Sequence, residues 1–405
     1  MPPAPRPKSL SSCTAICRRS RKAAPIEMLA GLRFRVAQTR GRRYSEAPHP
    51  YRNDFQRDRD RIVHSRAFRR LEAKTQVFTQ GMSDHFRNRL THTIEVAQIA
   101  RTLAAALELD EDLTEALALA HDIGHPPFAH AGEDELNHQM ARFGEKFDHN
   151  FHALRIVESF EQRYARFPGL NLTFEVREGI IKHSQDFGPG ENPEFDTFLP
   201  GLRPPLEAQL IDLADEAAYN SADLDDAFSA GMLKARDAAD CIPQYRTLLE
   251  AAETQFQGAS EREVFHETLR QLVDALVSGL IEGTVARARE AGVTSTDEVR
   301  TFPRRLAAFA PEEAETSRQL KRFLYEKVYA APALVEERAR SVAMIGELFQ
   351  FFLERPDRLP QPYSEQANHT PVHRVVCDYI AGMTDSFFRR TYEQTIAQDA
   401  TLRAM

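Results

Sequence analysis

The feature that most constrains this chain is an apolar helical stripe that carries histidine. Between Thr91 and Leu107, His92, Val96, Ile99 and Leu103 fall at i, i+4, i+7 and i+11, the spacing of residues that share one helix face. A second stripe, Leu113, Leu117 and His121, follows the acidic run Asp110-Glu111-Asp112, and acids suit a helix N-terminus. Gly124 and Pro126-Pro127 then stop that helix. A third helix is predicted over Leu206–Phe228, where Ile211, Asp215, Tyr219 and Asp223 recur every fourth residue. Histidine and aspartate are costly to bury unless paired or metal-bound. Inward stripes that carry them therefore describe the wall of a site rather than a plain core. Little of the sequence alternates with period two in β-branched residues, so strands are not expected. The fold class read from this pattern is all-α.

The densest chemistry lies in His121-Asp122-Ile-Gly-His125-Pro-Pro-Phe-Ala-His130-Ala-Gly-Glu133. With His92 and Asp215 from the neighbouring stripes, His121 and Asp122 make a set of two imidazoles and two carboxylates. Alone, His92 would be a satisfied core histidine and Asp215 a solvated helix residue; beside His121-Asp122 both become candidate ligands. The set suits one divalent metal ion per site, Mn or Mg first, with Fe, Zn, Ni or Co also compatible. Glu133 follows His130 by three, a spacing that lets a carboxylate hold an imidazole tautomer. Arg89 precedes His92 by three, where a guanidinium can clamp phosphate. Lys182 and His183 add positive charge just before a long loop, with Lys182 expected to join Arg89 in binding substrate phosphate, and Tyr219 offers a stacking or hydroxyl contact to a sugar.

Residues 1–45 form a basic lead-in, with Arg6, Lys8, Arg18, Arg19, Arg21 and Lys22 preceding the first acid, Glu27. Residues 1–27 read as a disordered tail, or as a start placed upstream of Met28, with an organellar transit peptide as the alternative. Residues 46–230 are expected to form the catalytic core, and 231–405 a helical region that completes the pocket and the oligomer interface. Two Pro-rich stretches, 184–205 and 354–366, are expected to be irregular. The net charge of −8 over 405 residues argues against a general nucleic-acid binder and leaves open only a local basic site for nucleic acid. No apolar run approaches the roughly 20 residues that span a bilayer. Cys13, Cys17, Cys241 and Cys377 are few and scattered, as in a reducing compartment such as the cytoplasm.

The order His92, His121-Asp122, Asp215 resembles the HD-domain metal-dependent phosphohydrolases. More specifically, Lys74-Thr-Gln-Val-Phe78, Gly124-His-Pro-Pro-Phe128, Phe147-Asp-His149-Asn and Asp378-Tyr-Ile-Ala-Gly-Met-Thr-Asp385 are similar to the bacterial dGTPase-like deoxynucleoside triphosphate triphosphohydrolases. The likeness covers about Arg42 to Met405. It implies an HD-domain helical core with additional C-terminal helices. The implied reaction is metal-dependent hydrolysis of a dNTP, dGTP or a broader set, to deoxynucleoside and triphosphate. It makes His92, His121, Asp122 and Asp215 the metal ligands and His130 with Glu133 the catalytic pair. His125, counted with the catalytic set, joins Arg89, His149, Tyr219 and Asp223 at substrate-contacting positions. A homo-oligomer and a dNTP activator are further implications. Two departures stand out: His152 where the family run has glutamine, and Glu216 after the metal aspartate where a lysine could contact phosphate. The alternatives are an HD nucleotidase or phosphodiesterase, and a regulatory nucleotide-binding protein.

Overall fold

The computed structural model describes residues 29–77 and 86–397. The basic segment 1–27 with Cys13 and Cys17, the Met28 position, and Phe78 lie outside the described residues. Among the described residues there is no strand, only the isolated bridges Arg42–Thr173, Thr75–Asn88 and Gln162–Gly169. The first four α-helices start where side chains take up orphan backbone N–H groups. Asn53 caps α1 (Asp54–Val63), and Ser65 caps α2 (Arg66–Arg70). Asn88 caps α3 (Arg89–Ala106), and Asp110 caps α4 (Glu111–Ala120). Next come α5 (Ala129–Ala141), α6 (His149–Arg155), α7 (Phe174–Ile181) and α8 (Leu206–Ser229). The C-terminal half adds α9 (Ala235–Cys241), α10 (Pro243–Gln255), the long α11 (Glu261–Ala291) and α12 (Thr296–Thr301). It closes with α13 (Pro311–Leu324), α14 (Pro332–Glu354), α15 (Tyr363–Gln366), α16 (Val372–Ala381) and α17 (Asp385–Tyr392).

The all-α expectation holds, and the three predicted stripe helices are α3, α4 and α8. One boundary differs. Helix α4 ends at Ala120, so His121 and Asp122 sit in the turn that follows rather than on the helix.

Buried apolar residues form three clusters. The first gathers α3, α4, α7 and the N-terminal part of α8 around Val96, Leu103, Leu117 and Leu210. The second packs the rest of α8 against α9–α11 and α13 through Leu224, Tyr245, Phe265 and Leu320. The third joins α5 to α14, α16 and α17 through Leu136, Phe349, Val376 and Phe388. This grouping departs from the expected segments. Leu29, Leu32 and Phe34 from the lead-in are fully or nearly fully buried in the first cluster. So are Leu280, Val299 and Leu306 from beyond residue 230. The stretch 184–205 is not wholly irregular either: Pro193–Phe198 forms a 3-10 turn whose Phe195 and Phe198 are buried. In the second Pro-rich break, Pro356–Arg358 is a 3-10 turn and α15 has already begun. Cys241 is exposed and Cys377 buried. No helix among the described residues is long and apolar enough to cross a membrane.

Glu207, fully buried on α8, fastens the lead-in to this frame. Its Oε1 accepts the Phe34 N–H at 2.8 Å and the Asp110 N–H at 3.2 Å. Oε2 has no partner. Burial pushes its pKa up to about 7, so the folded protein holds this group as the neutral acid below that pH. An acid whose folded pKa is raised contributes its full stability below the ordinary carboxylate pKa. That contribution is lost as pH climbs through the folded value. Glu207→Gln mimics the neutral form. Its stability relative to wild type should rise by about 3 kcal/mol between pH 5 and pH 8, measured by denaturant unfolding; a difference independent of pH would contradict this assignment.

Candidate metal and phosphohydrolase site

The site begins at the C-terminal end of α4, where a helix leaves carbonyls without partners. Ala118 O is one of them, and it accepts the His121 Nδ1–H at 2.6 Å. That bond fixes the tautomer and leaves His121 Nε2 as a buried lone pair without a partner. Around it stand Asp122 Oδ1 at 3.6 Å and Asp215 Oδ1 at 3.8 Å. His92 Nε2 lies 2.8 Å from Asp215 Oδ1. Atoms of His92, His121 and Asp215 all converge within 4.8 Å. Ligands bound at about 2.1 Å from one ion sit about 3 Å or more apart. The donor set, its spacing and the orphaned Nε2 therefore fit a divalent metal ion.

The electrostatics agree. Burial would raise the pKa of Asp122, yet Arg89, His121 and His125 hold its carboxyl well below the usual range. Burial likewise opposes ionisation of Asp215, but the adjacent His92 and His121 keep it low. His121 is lowered by burial. His92 is raised, because its bond to Asp215 outweighs burial.

Arg89, expected to clamp phosphate, is buried with Nη1 donating to Asp122 Oδ2 at 2.7 Å, while its Nε has no partner. His125 Nε2 lies 3.0 Å from Asp122 Oδ1. Its ring stacks on His149 at 4.0 Å between centroids and meets His130 edge-on at 5.3 Å. Gly124 makes this stacking feasible. A Cβ there would lie 2.0 Å from His149 O and 2.5 Å from Ala153 N, so only glycine lets α6 approach this turn.

The expected pair of His130 and Glu133 is present with a different emphasis. Glu133 Oε1 binds both His149 Nδ1 at 2.7 Å and the His149 N–H at 2.9 Å. Its Oε2 reaches His130 Nδ1 at 3.4 Å. Burial disfavours the Glu133 carboxylate, but its hydrogen bonds to His130 and His149 draw its pKa down. The His130 side chain is 77% exposed, open for proton exchange.

On the α8 face, Tyr219 and Asp223 follow Asp215 as expected. Burial raises the Asp223 pKa to about 7, and Tyr329 Oη donates to its Oδ2. Two residues that sequence reasoning missed complete this wall. Tyr329 lies in the turn after α13. Lys321 on α13 places Nζ 2.7 Å from Glu216 Oε2 and 5.9 Å from the Tyr219 ring centre. The cation absent from position 216 is thus brought by another helix and paired there. Neither residue carried a sequence signal, since each looks like an ordinary position in an amphipathic segment a hundred residues away. A third addition is the pair of His183 Nδ1 and Asp212 Oδ1 at 2.8 Å, with His183 edge-on to His121 at 5.4 Å. Asp212 precedes Asp215 by three on the same helix, a spacing that could have flagged it.

Lys182 is a correction. It was expected to bind substrate phosphate, but its ammonium is buried and consumed inside the protein. Nζ donates to Glu178 Oε1, Leu199 O and Leu202 O, each at 2.9 Å. Arg300 completes the group on Glu178. As the cap of α7, Lys182 folds back over the preceding turn, and the 184–205 loop closes on it. His152, the other departure noted in the sequence, is buried with Nδ1 3.8 Å from Asp378 Oδ1; neither ring nitrogen has a hydrogen-bond partner.

Comparison with known proteins places this arrangement. The HD domain family matches residues 89–220, and the Phosphohydrolase-associated domain family matches residues 307–394. A deoxyguanosinetriphosphate triphosphohydrolase-like protein of Ralstonia pickettii (strain 12J) is 44% identical over 382 residues, covering 93% of this chain and 98% of its own length. The chain belongs to this family of HD-domain phosphohydrolases. Other dGTPase-like relatives include one from Azoarcus sp. (strain BH72), 46% identical over 91% of this chain and 97% of its own. Another, from Geobacter metallireducens, is 42% identical over 90% and 95%. As a dGTPase-like family member the chain is a hydrolase, and its converging His and Asp side chains are the kind of group that a metal-dependent HD domain uses.

Two outcomes test the site. Lys182→Met should cost about 1–3 kcal/mol of stability, because two carbonyls and part of Glu178 lose their donor. Its KM and kcat should match wild type; a raised KM would return Lys182 to the substrate. Asp122→Ala should lose bound metal, read by elemental analysis, while keeping its helical circular dichroism, since it removes a ligand and little core volume. Full metal retention would exclude Asp122 as a ligand.

Proposed function

We propose that this chain hydrolyses deoxynucleoside triphosphates, dGTP or a broader set of dNTPs, to deoxynucleoside and triphosphate. The observation that carries the reading is the position of the candidate ligand group. Its Asp122 contacts both buried Arg89 and His125, the first member of the His125–His149–Glu133–His130 cluster, and its Asp215 shares α8 with Tyr219 and Asp223. In this reading His92, His121, Asp122 and Asp215 hold one divalent ion, Mn or Mg, with Fe, Zn, Ni or Co as alternatives. When bound, such an ion supplies Lewis-acid polarisation of a phosphoryl oxygen and lowers the pKa of water.

The chain's own residues do the rest. Arg89 and Lys321 offset the polyphosphate charge. Tyr219 packs against the deoxyribose, and Asp223 accepts a hydrogen bond from a sugar hydroxyl. A water oxygen bonds to the α-phosphorus as the bond to the nucleoside 5′-oxygen breaks. That oxygen leaves poorly as an alkoxide, so His130 supplies its proton. Glu133 steadies His130 and His149, and His125 shields the ligand carboxylate. A cytoplasmic homo-oligomer with a dNTP activator belongs to the same reading. Nucleic acid is not supported as a partner by the net charge.

The test is a panel of the four dNTPs, singly and in pairs, with Mn or Mg in ¹⁸O-water. Deoxynucleoside and labelled triphosphate are expected, with the nucleoside hydroxyl unlabelled and no turnover after chelation. Orthophosphate with dNDP, or pyrophosphate with dNMP, would overturn the reading in favour of a nucleotidase or pyrophosphatase. Nucleotide binding without turnover would favour a regulatory protein.

A further inference from the structure

The residues just before the proposed proton donor adopt a backbone that side chains disfavour. Phe128 and Ala129 are consecutive non-glycine residues in the left-handed region, at φ +63° and +56°, where Cβ crowds the backbone. Phe128 is the N-cap of α5, yet its side chain caps nothing. Such a conformation persists only where the surroundings over-determine it. Here they lie more than 250 residues away in sequence. Asp385, the first residue of α17, accepts the Phe128 N–H on Oδ1 at 3.1 Å and the Thr75 N–H on Oδ2 at 2.8 Å. From the same helix, the Phe388 ring meets Phe128 edge-on at 5.1 Å, and the Arg389 guanidinium lies 5.0 Å over it.

The second arm of Asp385 reaches the other flank of the site. Lys74, beside Thr75, is buried, and its Nζ donates to His125 O and to Ala381 O. Lys74 O in turn accepts the Arg89 N–H at 3.1 Å, at the first residue of α3. One carboxylate thus ties the start of the Arg89 helix to the turn that launches His130 and Glu133.

We propose that Asp385 is a positioning residue for hydrolysis. It clamps the left-handed Phe128–Ala129 turn so that His130 meets the substrate, and it does so without touching metal or substrate. The proposal rests on the reading of His130 as proton donor. It also gives the C-terminal phosphohydrolase-associated region a physical task, which is to hold the catalytic turn in its strained form.

The full-length chain carrying Asp385→Ala, and the isosteric Asp385→Asn should alanine fail to fold, provides the test. The expected result is a kcat about 10–100-fold lower, the scale of a misplaced catalytic group, with KM within about twofold and metal content unchanged. Amide hydrogen exchange should accelerate at residues 128–131 and not in α3 or α4. Adding Ala129→Gly, which removes the Cβ from the strained position, should recover at least a few-fold of kcat in the Asp385→Ala background. A general loss of stability would not respond in that way. Unchanged kcat and exchange, metal loss alongside kcat, or no recovery with Ala129→Gly would each overturn the proposal. The exchange arm needs no substrate. A wild type that hydrolyses no dNTP would sink the proposed reaction, while the exchange data would still decide whether Asp385 holds the turn.

Discussion

Asp122 is a buried carboxylate held between Arg89 at 2.7 Å and His125 at 3.0 Å, with His121 Nε2 at 3.6 Å. A lone buried charge of this kind would be prohibitively costly. Much of the surrounding structure is the set of conditions that makes it tolerable. Arg89 must open α3, so Asn88 caps that helix. His121 must turn its lone pair inward, so α4 has to end with Ala118 O free for Nδ1. His125 must reach the carboxylate from a turn, so α6 has to pass within van der Waals distance of Gly124. Remove the carboxylate and each of these features loses its reason.

The three apolar clusters meet at this point, and each delivers a different chemical part. The first carries α3, with Arg89 and His92, and α4, followed by the turn that holds His121 and Asp122. The second, reached along α8, brings α13 and the residues after it, with Lys321 and Tyr329 facing the Tyr219–Asp223 wall. The third anchors α5, and with it His130 and Glu133, on α14, α16 and α17. A site assembled from three packed bodies is rigid only where polar ties cross between them. The Lys74–Ala381 and Arg155–Asp378 bonds are such ties between the first and third bodies, while α8 itself runs from the first into the second.

What the sequence revealed follows the same division. Period exposes α3, α4 and α8, with the acidic start Asp110-Glu111-Asp112 adding a signal for α4, because each presents residues that recur on one face. The candidate ligand set stands out because three chemically costly residues, His92, His121 and Asp215, continue those stripes and Asp122 adjoins one of them. Side-chain direction at a helix end is not readable, and Lys182 shows why: the carbonyls that capture it belong to Leu199 and Leu202, which approach only once the loop has folded. Burial within residues 29–34 of the lead-in is hidden from the sequence for a related reason. Leu29, Leu32 and Phe34 have no period long enough to signal burial, and Glu207, which receives the Phe34 N–H, is 173 residues further on. Lys321 and Tyr329 belong to the same class, since their meaning exists only across the interface with α8. Local pattern reports what a helix does for itself and is silent on what distant segments do for one another.

The separate anchorage of α5 has a consequence for how such a protein ages and diverges. Sub-global opening begins with the least strongly held unit, and the α14–α17 body is joined to the ligand helices by few polar ties. Partial melting of that body would displace α5 while the candidate ligand group stays assembled, so on the proposed reading heat inactivation precedes global unfolding. Over longer times the same arrangement lets substitutions among Phe349, Val376 and Phe388 retune the angle at which α5 presents His130. Speed can then drift along a lineage through greasy residues that no comparison of ligands would register.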